Sequence, residues 1–247
     1  MIQHQAEAIV LRTWPVQESD LLISLFTRDL GRVRGVAKAA LKSRRRFGGA
    51  LEPMTWVRAS YVEKPRQELV RIDQLELLAS PLAQPVDYLR AAALAFYAEV
   101  LDHVLPDHDP QDAIFRLTLT VLEQTRAEFC WLPVTYFSLW ITRLLGWLPA
   151  LDHCTDCGAS LTGAAYFHVL RDGLSCAAHR KPNSSLLALE SLATAQAMER
   201  APLLAFANGE PWPRQRAQDL RRFTVRTLER HLERRLQSAA AMRQLGG

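Results

Sequence analysis

"EAIVLRTWPVQESDLLISLFTRDLGRVRGVAK", residues 7–38, decides the fold. Three apolar runs stand in it: EAIVLRT (7–13), LLISLFT (21–27) and RVRGVAK (32–38). Each is too short for a helix of ordinary length and rich enough in β-branched residues to read as a strand. PVQESD and RDLG separate them with turn chemistry. The third run alternates, with Arg32, Arg34, Val36 and Lys38 on one side and Val33, Gly35 and Ala37 on the other. Two more strands follow at WVRASYVE (56–63) and ELVRIDQLE (68–76), split by KPRQ. Five short strands with one long connection, 39–55, predict a small, partly open barrel. The five-stranded oligonucleotide-binding (OB) barrel is the commonest such object, and a plain meander or an SH3-like barrel is the alternative.

Past SPLAQP (80–85) the period changes from two to that of a helix. DYLRAAALAFYAEVLDHVL (87–105), QDAIFRLTLTVLEQT (111–125) and PVTYFSLWITRLLGWL (133–148) read as helices with broad apolar faces, and PDHDP breaks the first from the second. Further helices are expected at 186–198 and, as one long element, at 214–242. The fold class is therefore α+β multidomain. Residues 1–80 form a five-stranded OB-fold barrel, and residues 81–247 a helical domain with a zinc-ribbon-like insertion at 151–182.

That insertion contains HCTDCGASLTGAAYFHVLRDGLSCAAHR (153–180). Cys154-x2-Cys157 is followed after 18 residues by Cys176-x2-His179. Two such pairs about 15–20 residues apart match the zinc-ribbon template, in which a short hairpin spans the gap. AAYFHVL and GLSC, separated by RDG, are the expected arms. A Cys3His set is chemically suitable for one structural zinc. His153 and His168 complete no two-residue knuckle, and Cys130 in AEFCWLP reads as a core thiol. A decayed ribbon that holds no metal is the alternative. Four ligands close the coordination shell, whereas a catalytic zinc keeps an open position, so the site reads as structural.

The charge is uneven. Residues 1–80 hold 13 Lys/Arg against 9 Asp/Glu, 81–200 hold 8 against 13, and 201–247 hold 9 against 4, so two basic ends flank an acidic middle. Within the first block Arg32, Arg34, Lys38, Lys42, Arg44, Arg45 and Arg46 fall inside fifteen residues, with no acid between Asp29 and Glu52. Such a run on a barrel strand and its connection predicts a phosphate-tracking surface. Phe47 and Trp56 are candidates either for stacking on bases or for the core. Near the C-terminus Arg222, Arg226, Arg230 and Arg234 recur every four residues, which would line them up on one helical stripe as a possible second DNA contact. A plain solvated face is the competing reading.

The order of these features, and above all residues 7–54, EAIVLRTWPVQESDLLISLFTRDLGRVRGVAKAALKSRRRFGGALEPM, resembles the RecO family of bacterial recombination mediators. The likeness is strongest over 7–64 and more diffuse after 81. It implies a non-enzymatic DNA repair and recombination role: binding single- and double-stranded DNA, annealing complementary strands, and acting with RecR and the single-strand binding protein to load RecA. It further implies that Arg32, Arg34, Lys38, Lys42 and Arg44–Arg46 are the DNA face and that Cys154, Cys157, Cys176 and His179 hold the zinc, with histidine standing at 179 where the four-cysteine version has cysteine. The family receives the single-strand binding protein on its helical domain, for which Arg116, Arg126 and Arg143 are candidates. No apolar run is long enough to span a bilayer, and no secretory leader is apparent in MIQHQAEAIVLRTW, so a cytoplasmic, nucleoid-associated protein without membrane partners is expected. An RNA-binding OB-fold protein and a zinc-dependent hydrolase or nuclease are the rival classes. Neither a phosphate-binding G-x-x-x-x-G-K-[ST] loop nor an H-E-x-x-H helix occurs in the chain.

Overall fold

Five strands close on themselves in the computed structural model, which describes residues 2–244. They are β1 (Ile2–Pro15), β2 (Leu21–Thr27), β3 (Gly31–Ala37), β4 (Trp56–Glu63) and β5 (Val70–Ala79), in the spatial order β1-β2-β3-β5-β4. The pairs are antiparallel except the closing one. There β3 meets β5 in parallel through Gly35↔Val70 and Val36↔Arg71. Gly35 permits this short seam, since a Cβ at that position would stand 2.5 Å from Val70 Cγ2 and 2.6 Å from the Val70 carbonyl oxygen. The barrel is thus of the OB type, and the alternation read in β3 is present. Gly31, Val33, Gly35 and Ala37 are buried, and Arg32, Arg34, Val36 and Lys38 face outward.

The long connection 39–55 plugs the barrel. A 3-10 turn (Ala40–Lys42) leads into one helical turn, α1 (Arg44–Phe47). Ala40, Phe47 and Ala50 enter the same core as Val10, Ile23, Leu25, Val57 and Ile72. Phe47 is 1% exposed. It is therefore a core residue and no platform for bases, and its burial contributes on the order of 2–3 kcal/mol.

The chain divides into two compact units, residues 1–122 and 123–247. In the first, α2 (Tyr88–Val104) and most of α3 (Asp112–Gln124) pack with the barrel. This accounts for the unbroken apolar run of β2. Leu21, Ile23 and Leu25 line the barrel interior, while outward-facing Ser24 donates to Asp102 of α2 at 2.7 Å and Phe26 meets Phe115 of α3 edge-on at 5.2 Å. A strand covered on both faces shows no alternation. Asp87 caps α2 by accepting from the Arg90 N–H at 2.7 Å.

The second unit holds α4 (Trp131–Leu144), a two-stranded sheet of β6 (Ala165–Phe167) and β7 (Ser185–Leu187), then α5 (Leu189–Met198), α6 (Gln218–His231) and α7 (Gln237–Gln244). Two sequence expectations change here. The helix expected from 186 begins at 189, because Ser185–Leu187 pairs with β6. The long helix expected over 214–242 is two helices. Glu233 adopts a left-handed φ of 54°, the Leu236 N–H turns back to Glu229 Oε1 at 3.1 Å, and Leu236 is fully buried. Arg221 joins α6 to α4 from a buried position. Its guanidinium donates to Thr135 Oγ1 at 2.7 Å and to the carbonyls of Arg216 and Arg214, and it lies over the Trp131 ring. Burial pulls its pKa down to about 10, so it remains a cation at neutral pH.

Candidate nucleic-acid interface and metal centre

The seven cations of 32–46 separate into three groups. Arg32 and Arg34 leave β3 on its outer face, where Asp107 meets both. Arg32 Nε donates to Asp107 Oδ1 at 2.6 Å, and Arg34 Nη2 donates to Asp107 Oδ2 at 2.8 Å. Arg32 also donates to the Asp102 carbonyl. The backbone reinforces this contact. The Arg32 N–H donates to the Pro106 carbonyl at 3.2 Å, and His108 N–H donates to the Arg32 carbonyl at 3.1 Å. Gly31 takes φ +66° directly against Asp109, where a Cβ would stand 2.1 Å from a carbonyl oxygen. PDHDP is therefore more than a helix break. It pairs along the edge of β3 that β5 leaves open, which protects an otherwise exposed strand edge.

Arg46 forms the second group. It folds back on its own loop, donating to Ser43 Oγ at 3.0 Å and to the Lys38 carbonyl at 2.7 Å, with its guanidinium 4.9 Å above the Phe47 ring. Lys38, Lys42, Arg44 and Arg45 form the third. All four are exposed, and among the described residues none has a carboxylate within ion-pair distance. Beside Lys38 lies an open cleft of about 660 Å³, lined also by Val36, Lys64, Gln67, Glu68, Leu69, Val70 and Arg71. Arg66, exposed on the β4–β5 turn, is close by in sequence. Sequence reading passed over Lys64 and Arg66 because each stands apart from the basic run; β-barrel closure brings their turn to the end of β3. Arg71 is paired with Asp73 at 2.8 Å. Trp56 is half-buried on β4.

The C-terminal stripe is only partly assembled. Arg222 is exposed on α6, and its guanidinium lies 5.5 Å from the Phe167 ring centroid. Arg226 is half-buried, and burial followed by the charge of Arg222 lowers its pKa, with Arg243 of α7 adding to the effect. Arg230 is committed elsewhere. It pairs with Asp172 and donates to the Arg171 carbonyl at 2.6 Å, fastening the cysteine segment to α6. Arg234 lies beyond the end of α6, so it does not continue the stripe. Of the three helical candidates, Arg116 pairs with Asp112 at 2.9 Å, Arg143 pairs with Glu199, and Arg126 is exposed. Arg143 lines an open cleft with Leu148, Leu151, Gln196, Glu199 and Arg200.

The ligand candidates of the cysteine segment converge. One donor atom from each of Cys154, Cys157, Cys176 and His179 lies within 4.8 Å of all the others. Ligands at about 2.0–2.3 Å from a tetrahedral metal are themselves about 3.3–3.8 Å apart, so the set needs only a modest contraction to hold one ion. The knuckle turn at Cys154 closes by Gly158 N–H donating to the Cys154 carbonyl at 2.8 Å. The Cys176 N–H donates to Cys154 Sγ at 3.3 Å, and Cys176 Sγ stands 3.2 Å from His179 Nδ1. Burial opposes ionisation of Cys154, but the backbone donors of Cys176, Cys157 and Asp156 together draw its pKa down to about 6, favouring the thiolate a metal requires. His153 instead pairs with Asp152, and His168 Nδ1 accepts from Leu170 N–H. Cys130 is fully buried and donates to the Arg126 carbonyl. The expected hairpin is rearranged. Tyr166 and Ser175 exchange two backbone hydrogen bonds, at 2.9 and 2.8 Å, as AAYFHVL and GLSC should, but the regular strand partner of β6 is β7.

Comparison with known proteins matches the chain in two consecutive parts. A family model described as "Recombination protein O N terminal" matches residues 1–81, and one described as "Recombination protein O C terminal" matches residues 85–240. The DNA repair protein RecO of Koribacter versatilis is 58% identical over 232 residues, covering 94% of this chain and 95% of its own. The protein of that name from Anaeromyxobacter sp. (strain K) is 32% identical over 246 residues, covering 96% and 95%. With both halves matched in order and relatives aligned over nearly the full length, the chain belongs to the RecO family of DNA repair proteins.

Proposed function

We propose that this chain is a recombination mediator that binds single- and double-stranded DNA, anneals complementary strands and, with RecR, helps load RecA onto DNA coated by the single-strand binding protein. The observation that carries the DNA-binding step is the set of four exposed, unpaired cations at Lys38, Lys42, Arg44 and Arg45 on one loop of an OB-type barrel. A cation already paired to a carboxylate must give up that pair to take a phosphate, whereas these four need only shed water and counterions. Lys64, on the β4–β5 turn, lines the cleft beside Lys38 and adds a cation there, opposed by Glu68. Arg222 and Arg226, with Arg243, offer a second basic surface on the helical unit. Neutralising two strands at once would screen their mutual repulsion and let complementary bases meet, a role that needs no bond-making chemistry. Phosphate contacts carry no base information, so the binding is indifferent to sequence.

The cysteine segment fits one structural zinc. Its four donors fill a tetrahedral shell and leave no position for an activated water, which counts against the hydrolase reading. Arg200, in the α4–α5 cleft, is the proposed place for an acidic tail of the single-strand binding protein, which would have to displace Glu199 to reach Arg143 as well. Among the described residues no helix is long and apolar enough to cross a membrane.

The test is annealing of two complementary oligonucleotides coated with the single-strand binding protein, without nucleotide. The chain should accelerate pairing, and replacing Lys38, Lys42, Arg44 and Arg45 together by Ala should abolish the acceleration. Tight DNA binding with no acceleration would leave a nucleic-acid-binding barrel of another kind. A preference for RNA over the same DNA sequence would favour the RNA reading.

A further inference from the structure

The loop that carries the four unpaired cations also holds an apolar side chain out into water. Leu41 is 58% exposed, between Lys38 and Lys42. An exposed leucine on a protein surface ordinarily needs no explanation. This one differs in how it is held. Its neighbour Ala40 is 2% exposed and Phe47 1%, both in the barrel core, so the loop is anchored on each side of it. The Leu41 N–H donates to the Ser19 carbonyl at 3.2 Å, and the Ala39 N–H donates to Asp20 Oδ1 at 2.7 Å. Arg46 ties the far side to the Lys38 carbonyl. Ala39 takes a left-handed φ of 52°, a conformation costly for alanine, which turns the chain so that residue 40 points in and residue 41 points out. The β1–β2 turn bound to this loop carries a second exposed apolar residue, Val16, at 55%. A fixed apolar side chain on the loop that also carries the four exposed cations is complementary to a ligand with an apolar face and a polyanionic backbone.

Resting on the reading of this loop as the nucleic-acid face, we propose that Leu41 packs against the face of an unpaired nucleobase whose flanking phosphates lie on Lys38, Lys42, Arg44 and Arg45. A base stacked in a duplex offers no free face, so the contact selects single strands, while the cations hold single and double strands alike. An apolar contact with a base is tolerant of sequence and independent of salt.

Binding of a fluorescent mixed-sequence oligonucleotide, single-stranded and as a blunt duplex, should be measured across a salt series for the wild type, Leu41→Ala, Leu41→Tyr and Lys42→Ala. Leu41→Ala should weaken single-strand binding about 10-fold at every salt concentration, leave the log–log salt slope unchanged, and alter duplex binding less than about twofold. Leu41→Tyr should restore or exceed wild-type single-strand affinity, because a ring offers a larger face for stacking. Lys42→Ala should instead reduce the slope by about 0.7 for single strands. A normal effect of Lys42→Ala beside an unchanged Leu41→Ala overturns the role of Leu41 alone, and points to a protein as what covers it. Equal weakening of single and double strands by Leu41→Ala also overturns it, since the residue would then only shape the loop. If neither substitution changes binding, the loop is not the nucleic-acid face and both readings fall.

Discussion

The loop 38–46 and the helix α6 are both rich in arginine and both lie in basic stretches of the chain, yet the structure uses them differently. On the loop, Lys38, Lys42, Arg44 and Arg45 stand in water without acidic partners among the described residues. On α6, Arg221 is buried beneath Trp131 and Arg230 is held by Asp172, so two of its arginines are parts of the fold. The same division runs through β3, where Arg32 and Arg34 belong to Asp107. What decides availability is the acid or carbonyl that folding brings alongside, and sequence density of charge does not report it. A phosphate can take a free surface cation at little cost. Taking one from an existing pair gives up that pair, and taking a buried one breaks the core.

The largest expected effect lies at the cysteine segment, where cohesion is proposed to come from metal. This segment has few apolar anchors of its own. Leu161, Phe167 and Leu174 are buried, and Phe167 meets Phe223 of α6 at 5.2 Å. Cys154→Ser should abolish binding of about one zinc per chain and lower the Tm by more than about 10 °C, since ligand loss removes both the metal's folding energy and the thiolate's hydrogen bonds. Metal analysis and a thermal melt check it. DNA affinity at a temperature where the variant is folded should hold within about twofold. A melt unchanged without metal would mean that the hydrogen bonds between Thr155 and Leu174, and between Tyr166 and Ser175, suffice, and the ribbon would be vestigial.

The next effect breaks the comparison directly. Arg44→Ala with Arg45→Ala should reduce DNA affinity about 10-fold or more at low salt and cut the salt slope by about 1.4 for single strands, with the melt unchanged. Arg32→Ala with Arg34→Ala should do the reverse. It leaves Asp107, 43% exposed, beside β3 without its partners and should cost about 1 kcal/mol of stability, with little change in slope. Fluorescence anisotropy across a salt series and a urea melt give both numbers for both variants. If the two double variants lose affinity equally, Asp107 yields its arginines to DNA and paired and free cations serve alike.

Much of this was legible in the sequence because it depends on near neighbours. Strand alternation in β3, the turn chemistry between strands and the two-residue knuckles are all local patterns, and each reappears in place. The features that were not legible are those set by distant parts of the chain. Asp107 lies 75 residues from Arg32 and 73 from Arg34, so nothing around RVRGVAK announces it. Phe47 follows three arginines in a polar loop, and only closure of the barrel makes it a core residue. Leu186 and Leu187 read as the start of a helix until β6 supplies hydrogen-bond partners. The break after α6 has no Gly or Pro to signal it. Glu233 accepts a left-handed φ because burying Leu236 and capping its N–H with Glu229 outweigh the local strain. The unbroken apolar character of LLISLFT did contain a signal, since a strand of that kind needs cover on both faces, and α2 and α3 provide it.

The smallest expected effect concerns Asp107 itself, and it sharpens the comparison most. Burial would raise its pKa, but hydrogen bonds and charge from Arg32 and Arg34 outweigh that and hold the carboxyl below the usual carboxylate range. A depressed folded-state pKa contributes stability that is present above the unfolded value, about 3.9, and is lost as pH falls through the lower folded one. The wild type should therefore lose stability between about pH 5 and pH 3 more steeply than Asp107→Asn. The side chain is 43% exposed, so the difference should stay under about 1 kcal/mol. At neutral pH the same substitution releases Arg34, which is 44% exposed, and the single-strand salt slope should steepen by about 0.7. Arg32, only 16% exposed and held by the Asp102 carbonyl, should stay where it is. A flattened pH dependence with an unchanged slope would place Arg34 out of reach of phosphate even when free, and Asp107 would then be solely the clamp that binds the 106–109 turn to the open edge of β3.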